Sequence, residues 1–159
     1  MKELDVYMVR HGETLYNLLK RMQGWSDSPL TNRSLPLLEQ TGERLKNMHF
    51  DHVYSSDLKR SLDTNEIILK HNQETTAKVI PSSNFREIFF GSFEGQDEDE
   101  TWQTIGKPYG IKSITEFHQG YSNDFLRDAT KSADKLSLAE DAEEVNQRMR
   151  ASVKQLLAE

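Results

Sequence analysis

Apolar positions along this chain follow two periods. Val6-Tyr7-Met8-Val9, with Leu4 before it, is a continuous apolar run and predicts a buried strand over residues 4–9. His52-Val53-Tyr54 and Lys78-Val79-Ile80 predict two more short strands, the second ended by Pro81. Elsewhere the spacing turns to three and four. A short helix is predicted from Thr14 to Lys20, followed by a loop of turn formers over 21–30. Leu38, Leu45 and Met48 predict a helix capped by Thr31 and running to about Asn47, with Pro36 tolerated in or near the first turn. Leu58, Leu62 and Leu69 predict a helix capped by Asp57, and Ala142, Val145, Met149, Val153 and Leu156 an amphipathic helix from Glu140 to Ala158. From Ser82 to about Lys135 neither period holds. That stretch reads as irregular and polar, with 97–135 as a lid or insert. Strands alternating with helices imply parallel βαβ units, hence a layered α/β domain over residues 1–159.

Composition narrows the function more than the fold. Apolar residues make up 35% of the chain, against roughly 45–50% for an average domain with Gly included. The core is therefore modest, or some core-forming segments are not in this sequence. The net charge of −6 argues against nucleic acid and against anionic membrane surfaces. It leaves room for a small phosphorylated substrate or inorganic phosphate, because a few clustered arginines outweigh distant acidic surface. With no cysteine there is no disulfide, thiolate metal site or cysteine nucleophile. The charged start Met1-Lys2-Glu3-Leu4-Asp5 has no leader-peptide shape, so a cytoplasmic location is expected. Self-association into a homo-oligomer is left open.

The chemistry begins at Arg10-His11-Gly12, directly after the first apolar run. Ligands of open α/β sheets bind at such strand ends. A tight glycine turn there brings backbone N–H groups and the positive end of the next helix onto one anion, while an arginine grips phosphate oxygens in a planar fork. Asp97-Glu98-Asp99-Glu100 lacks the glycine and alternating ligands of a calcium loop and reads as an exposed helix start.

Four motifs follow one another: Arg10-His11-Gly12-Glu13-Thr14 with Asn17; Gln23-Gly24-Trp25-Ser26-Asp27-Ser28-Pro29-Leu30-Thr31; Tyr54-Ser55-Ser56-Asp57-Leu58-Lys59-Arg60 with Thr64; and Phe85-Arg86-Glu87 through Gly95. Together they resemble the histidine phosphatase superfamily, the phosphoglycerate mutase-like proteins. The resemblance spans most of 4–102 and returns weakly over Glu140 to Arg148. It implies a three-layer α/β/α fold with a mostly parallel central sheet. It also implies a phosphomonoester phosphatase with His11 as nucleophile through a phosphohistidine, and Glu87 as acid and base. Arg10 and Arg60 would clamp the phosphoryl oxygens and Asn17 would donate to them, with Gln23 and Gly24 also binding substrate. Ile88, Phe89 and Phe90 would give Glu87 an apolar setting. No cofactor or metal is implied.

Departures from the family pattern keep two alternatives in view. Phosphoglycerate mutases resemble one another in following the glutamate with arginine, histidine and tyrosine, where this chain has Ile88-Phe89-Phe90. Phosphatase is therefore favoured over mutase. The superfamily also completes its pocket with a second histidine, on a strand beyond the last helix, and this sequence holds no such strand. The resemblance places that strand in mid-sheet, between those leading to His11 and Ser55. The fold is thus expected to be incomplete at its C-terminus, with a groove beside the first strand, and a vestigial phosphate-binding domain is the second alternative.

Overall fold

The computed structural model describes residues 4–158. Its helices are α1 (Leu15–Leu18), α2 (Leu35–Leu45), α3 (Lys59–Leu69), α4 (Glu98–Gly106), α5 (Ile114–Gly120), α6 (Asn123–Ala133) and α7 (Ala142–Leu157). The strands β1 (Val53–Ser56) and β2 (Val79–Ser82) pair in parallel, Val53 opposite Val79 and Ser56 opposite Ser82. The fold is α/β with a parallel sheet, the class expected. Pro81 lies within β2 rather than ending it, opposite Ser55. A strand paired on one side can carry a residue without an N–H donor.

The first apolar run behaves differently from its expectation. Among the described residues the sheet has two strands, and 4–9 is in neither. Leu4, Val6, Tyr7 and Val9 are exposed and Met8 is 90% exposed. The Tyr7 ring meets Phe50 edge-on at 5.7 Å, just ahead of β1. Apolar content alone does not bury a run, because a strand needs a backbone neighbour on each side to lose its water.

Residues 97–135, read as an irregular lid, are instead mostly helical. Each helix there has its own start signal, a side chain accepting an orphan N–H. Asp97 accepts from Glu100, Ser113 from Glu116 and Ser122 from Phe125. Glu98, Asp99 and Glu100 occupy the first turn of α4, where the helix dipole favours negative charge. These helices enclose the main core of Met22, Phe93, Trp102, Ile105, Ile111, Phe117 and Ala129.

Other boundaries shift for identifiable reasons. α2 starts at Leu35 with Pro36 in its first turn, and the Thr31 hydroxyl goes to Glu13 at 2.7 Å instead of capping. α3 is preceded by Leu58, and the Asp57 carboxylate is taken by Arg86. α3 buries Arg60, Thr64 and Ile68 and leaves Leu58, Leu62 and Leu69 half-buried. α7 keeps the expected span, fixed by a capping box between Asp141 and Glu144. It buries Val145, but Met149 and Val153 remain about half exposed.

Candidate active site

His11 is followed by a glycine pressed close to the next helix. A Cβ on Gly12 would come within 2.8 Å of Leu38 and 2.9 Å of the Ser34 hydroxyl. The Gly12 N–H is spent on Thr64 Oγ1 at 3.0 Å, and the Thr14 N–H on the Asn17 carboxamide at 3.1 Å. The helix that follows has four residues. The expected anion site of free backbone N–H groups is therefore not built, since its donors are used inside the protein.

What the turn does build is a defined imidazole. His11 Nδ1 donates to the Gly12 carbonyl at 2.8 Å, which leaves the lone pair on Nε2. Burial holds the His11 pKa below its ordinary value of 6.5. Arg60 and Arg10 add to the lowering, and the Gly12 bond and Glu87 oppose it. The lowered pKa favours the neutral ring, with its lone pair on Nε2.

Arg10, Asn17, Gln23 and Glu87 meet around one cavity of about 150 Å³. The polar side chains at its wall are sorted by an internal hydrogen-bond network. The Gln23 carboxamide oxygen accepts from the Thr14 and Ser28 hydroxyls at 2.6 and 3.3 Å, leaving its buried NH₂ with no partner. The Asn17 oxygen accepts the Thr14 N–H at 3.1 Å. His11 lines an adjoining groove of about 420 Å³ that shares Arg10 with this cavity and is lined also by Gly12, Glu13, Ser34, Leu37 and Leu38.

Arg60 and Gly24 serve the site differently from expectation. Arg60 is 2% exposed and donates to the Ser26 and Gly24 carbonyls at 2.8 and 2.7 Å and to Asp27 at 3.3 Å. Its Nε has no partner. Most of its fork holds the 24–27 loop, so it is a loop anchor with donor capacity to spare. Gly24 accepts from Arg60 and gives its N–H to Glu94 at 3.1 Å. A Cβ there would collide with the Ile88 carbonyl and the Glu94 carboxylate. Gly24 thus works through packing, and its backbone is not open to substrate.

Glu87 sits exposed at the cavity mouth, so the apolar setting expected from its neighbours is absent. Phe89 stacks on Trp25 at 4.8 Å, and Phe90 packs edge-on to Trp102 at 6.1 Å. The backbone carrying Glu87 is nonetheless firmly held. Trp25 Nε1 donates to the Glu87 carbonyl at 2.9 Å, and Arg148 donates to the Arg86 carbonyl at 2.7 Å. Arg148 also forms a two-point pair with Glu140 at 2.8 Å, and Glu140 accepts the Phe89 N–H at 2.8 Å. Arg86 grips Asp57 at 2.6 Å through two bonds and lies 4.7 Å over the Trp25 ring.

Sequence reasoning passed over Glu94, Glu140 and Arg148. Glu94 collects N–H groups from Gly24, Trp25, Ser26 and Phe90, so one carboxylate organises the loop that faces Arg60. Its place in the Gly91–Gly95 motif was the available signal. Among the described residues no group of three His, Asp or Glu could hold a metal ion, and no helix is long and apolar enough to cross a membrane.

Known proteins resemble this chain in sequence and fold. The family model for the histidine phosphatase superfamily, branch 1, matches residues 6–159. The chain belongs to that superfamily. A crystal structure of phosphoglycerate mutase from Bacillus anthracis superposes with a TM-score of 0.85 at 34% identity, over 92% of this chain and 64% of the other. YhfR from Bacillus stearothermophilus gives 0.68 at 28% identity, covering 94% and 65%. A probable phosphoglycerate mutase GpmB from Proteus mirabilis is 40% identical over 106 residues, 63% of this chain and 48% of that protein. The chain thus spans about half the length of the curated relatives it matches.

Proposed function

We propose that the cavity binds the phosphoryl group of a small phosphomonoester, and that His11 Nε2 attacks it as the nucleophile of a phosphatase. The observation that carries this reading is the convergence of Arg10, Asn17, Gln23 and Glu87 on one cavity that shares Arg10 with the groove of His11.

The N–P bond forms as the ester P–O bond breaks, and Glu87 gives its proton to the departing alkoxide. Glu87 then takes a proton from water as the water oxygen bonds to phosphorus and the N–P bond breaks, releasing inorganic phosphate. Arg10 balances the equatorial charge, and the Asn17 carboxamide donates to it. Because His11 must be neutral, turnover rises with pH through a value below 6.5.

Acid-labile, base-stable phosphate on His11, lost in His11→Ala, is the expected outcome with an aryl phosphate. Turnover by His11→Ala within a few-fold of the unaltered chain overturns the mechanism. Two relatives carry the name phosphoglycerate mutase, which supports a second reading. Phe89 and Phe90 pack against tryptophans and offer a substrate carboxylate no partner. Transfer between phosphoglycerate isomers would restore the mutase reading. Phosphate or vanadate binding without turnover would make this chain a phosphate-binding domain.

A further inference from the structure

Residues 86–90, the strip that bears Glu87, form neither helix nor strand, so their backbone groups must find partners elsewhere. One side chain of α7 gathers three carbonyls. Arg148 donates through Nη1 to the Arg86 carbonyl at 2.7 Å and the Asn84 carbonyl at 3.2 Å, and through Nη2 to the Glu87 carbonyl at 3.3 Å. Its Nε and Nη2 also donate to the Glu140 carboxylate, each at 2.8 Å. Glu140 in turn brackets Phe89, accepting its N–H at 2.8 Å and donating its own N–H to the Phe89 carbonyl at 2.9 Å.

A planar guanidinium can hold three carbonyls and a carboxylate at once, where an ammonium of the same charge presents a single nitrogen. The Arg148 and Glu140 side chains are 12% and 11% exposed, so little water competes for these bonds. Glu87 lies outside that packing. Its side chain is exposed, and its carboxylate is met by the Ile88 N–H at 2.9 Å, a bond within the same strip. The carboxylate therefore keeps its place only as well as the backbone beneath it. Stability alone would be served by an apolar pair of similar volume, since a buried ion pair often does no better than its hydrophobic replacement. Such a replacement would leave the carbonyls of Asn84, Arg86 and Glu87 without this common anchor. Proton transfer depends on that anchor, because a displacement of about 1 Å can cost a reaction about a hundredfold.

We propose that Arg148, held by Glu140, is a positioning residue for Glu87, fixing the strip so that the Glu87 carboxyl group meets the departing ester oxygen. The inference rests on the phosphatase reading above, in which Glu87 delivers that proton. Its mark is selective: transfer from esters that need the proton depends on Arg148, and transfer from esters whose leaving group departs as a stable anion does not.

The test measures, in the full chain, the first-turnover rate at which phosphate appears on His11 from propyl phosphate and from 4-nitrophenyl phosphate. The propyl alkoxide needs a proton to leave, and nitrophenolate does not. Glu87→Gln should slow transfer from the propyl ester about a hundredfold and from the nitrophenyl ester only about twofold. Arg148→Lys keeps the charge but loses the fork, and should slow the propyl ester about tenfold with little change for the nitrophenyl ester. In the Glu87→Gln background Arg148→Lys should cost nothing further, because its effect runs through the residue already replaced. A merely structural role would slow both esters and add to the loss in Glu87→Gln. Where Arg148→Lys does not fold, Arg148→Met combined with Glu140→Leu carries the same comparison, since both buried charges leave together. Equal slowing of both esters, no slowing of either, or an undiminished further loss in the Glu87→Gln background overturns the inference, while phosphate on His11 upholds the nucleophile. A propyl ester rate unchanged by Glu87→Gln overturns the inference together with the proton-donor role of Glu87. No phosphate on His11 from either ester in the unaltered chain overturns the phosphatase reading and the inference with it.

Discussion

The N-terminal run 4–9 and the helical region 91–145 are opposite outcomes of one rule. The first has the densest apolar stretch of its end of the chain, yet Met8 is 90% exposed. The second is polar along most of its length, yet Phe117 is 1% exposed and Ile105 fully buried. Helices satisfy their own backbone and need only one apolar face to pack, so α4, α5 and α6 close on Trp102 and Phe117 with few apolar residues. An extended run needs neighbours for its N–H and C=O groups before its side chains can leave water. Burial follows backbone satisfaction first and hydrophobicity second.

The comparison breaks most readily at its best-packed point. Phe117→Ala should cost about 3–5 kcal/mol in urea unfolding, the usual range for a buried aromatic. A loss under 1 kcal/mol would show that the helical core is not what holds the domain together. Next comes the Glu140–Arg148 pair, with side chains 11% and 12% exposed, which ties α7 to the strip bearing Glu87. Arg148→Met leaves Glu140 buried without its partner and should destabilise by about 3 kcal/mol, while replacing both residues should recover part of that. A double-mutant cycle measures the coupling.

Asp134 sharpens the contrast through pH. Burial pushes its carboxyl up, but bonds from the Ser92 hydroxyl and the Ala139, Leu136 and Leu138 N–H groups outweigh this and hold it at about 2. A pKa lowered on folding gives stability that is present above the unfolded value near 3.8 and lost as pH falls through the folded one. About 2 kcal/mol should therefore disappear between roughly pH 4 and pH 2, and Asp134→Asn should lack that portion of the acid dependence. Unfolding curves at several pH values check it.

His71 provides a smaller effect at the other end of the pH scale. It bridges Glu39 and Glu43 of α2, the latter at 2.7 Å, so both ring nitrogens face carboxylates. The bond to Glu39 raises its pKa, burial opposes this, and Glu43 adds to the rise. The clamp is complete below 6.5 and weakens as pH climbs through the raised value. Hydrogen-exchange protection in α2 and α3 should fall across that window and become flat in His71→Gln. The least effect belongs to the N-terminal run: Met8→Ser should stay within about 0.5 kcal/mol, as for a solvated position. A larger loss would mean that the run is packed in solution.

The sequence by itself determined the α/β class, the helices α2, α3 and α7, the two paired strands, and the glycine after His11. Each depends on local physics: a period, a cap, or a turn with no room for a Cβ. It also assembled Arg10, Asn17, Gln23 and Glu87, because their motifs flank chain turns that return to one place. Tertiary structure decided the rest. Three helices beyond residue 97 were unreadable because their apolar faces are short and their Ser and Asp caps look like loop residues until a core forms beneath them. The duties of Arg60 and Gly24 depended on Glu94 and the 24–27 carbonyls, contacts 36 and 70 residues away in sequence, farther than any local pattern reaches. The fate of residues 4–9 was likewise nonlocal, since whether an apolar run becomes a buried strand is fixed by the backbone that lies beside it.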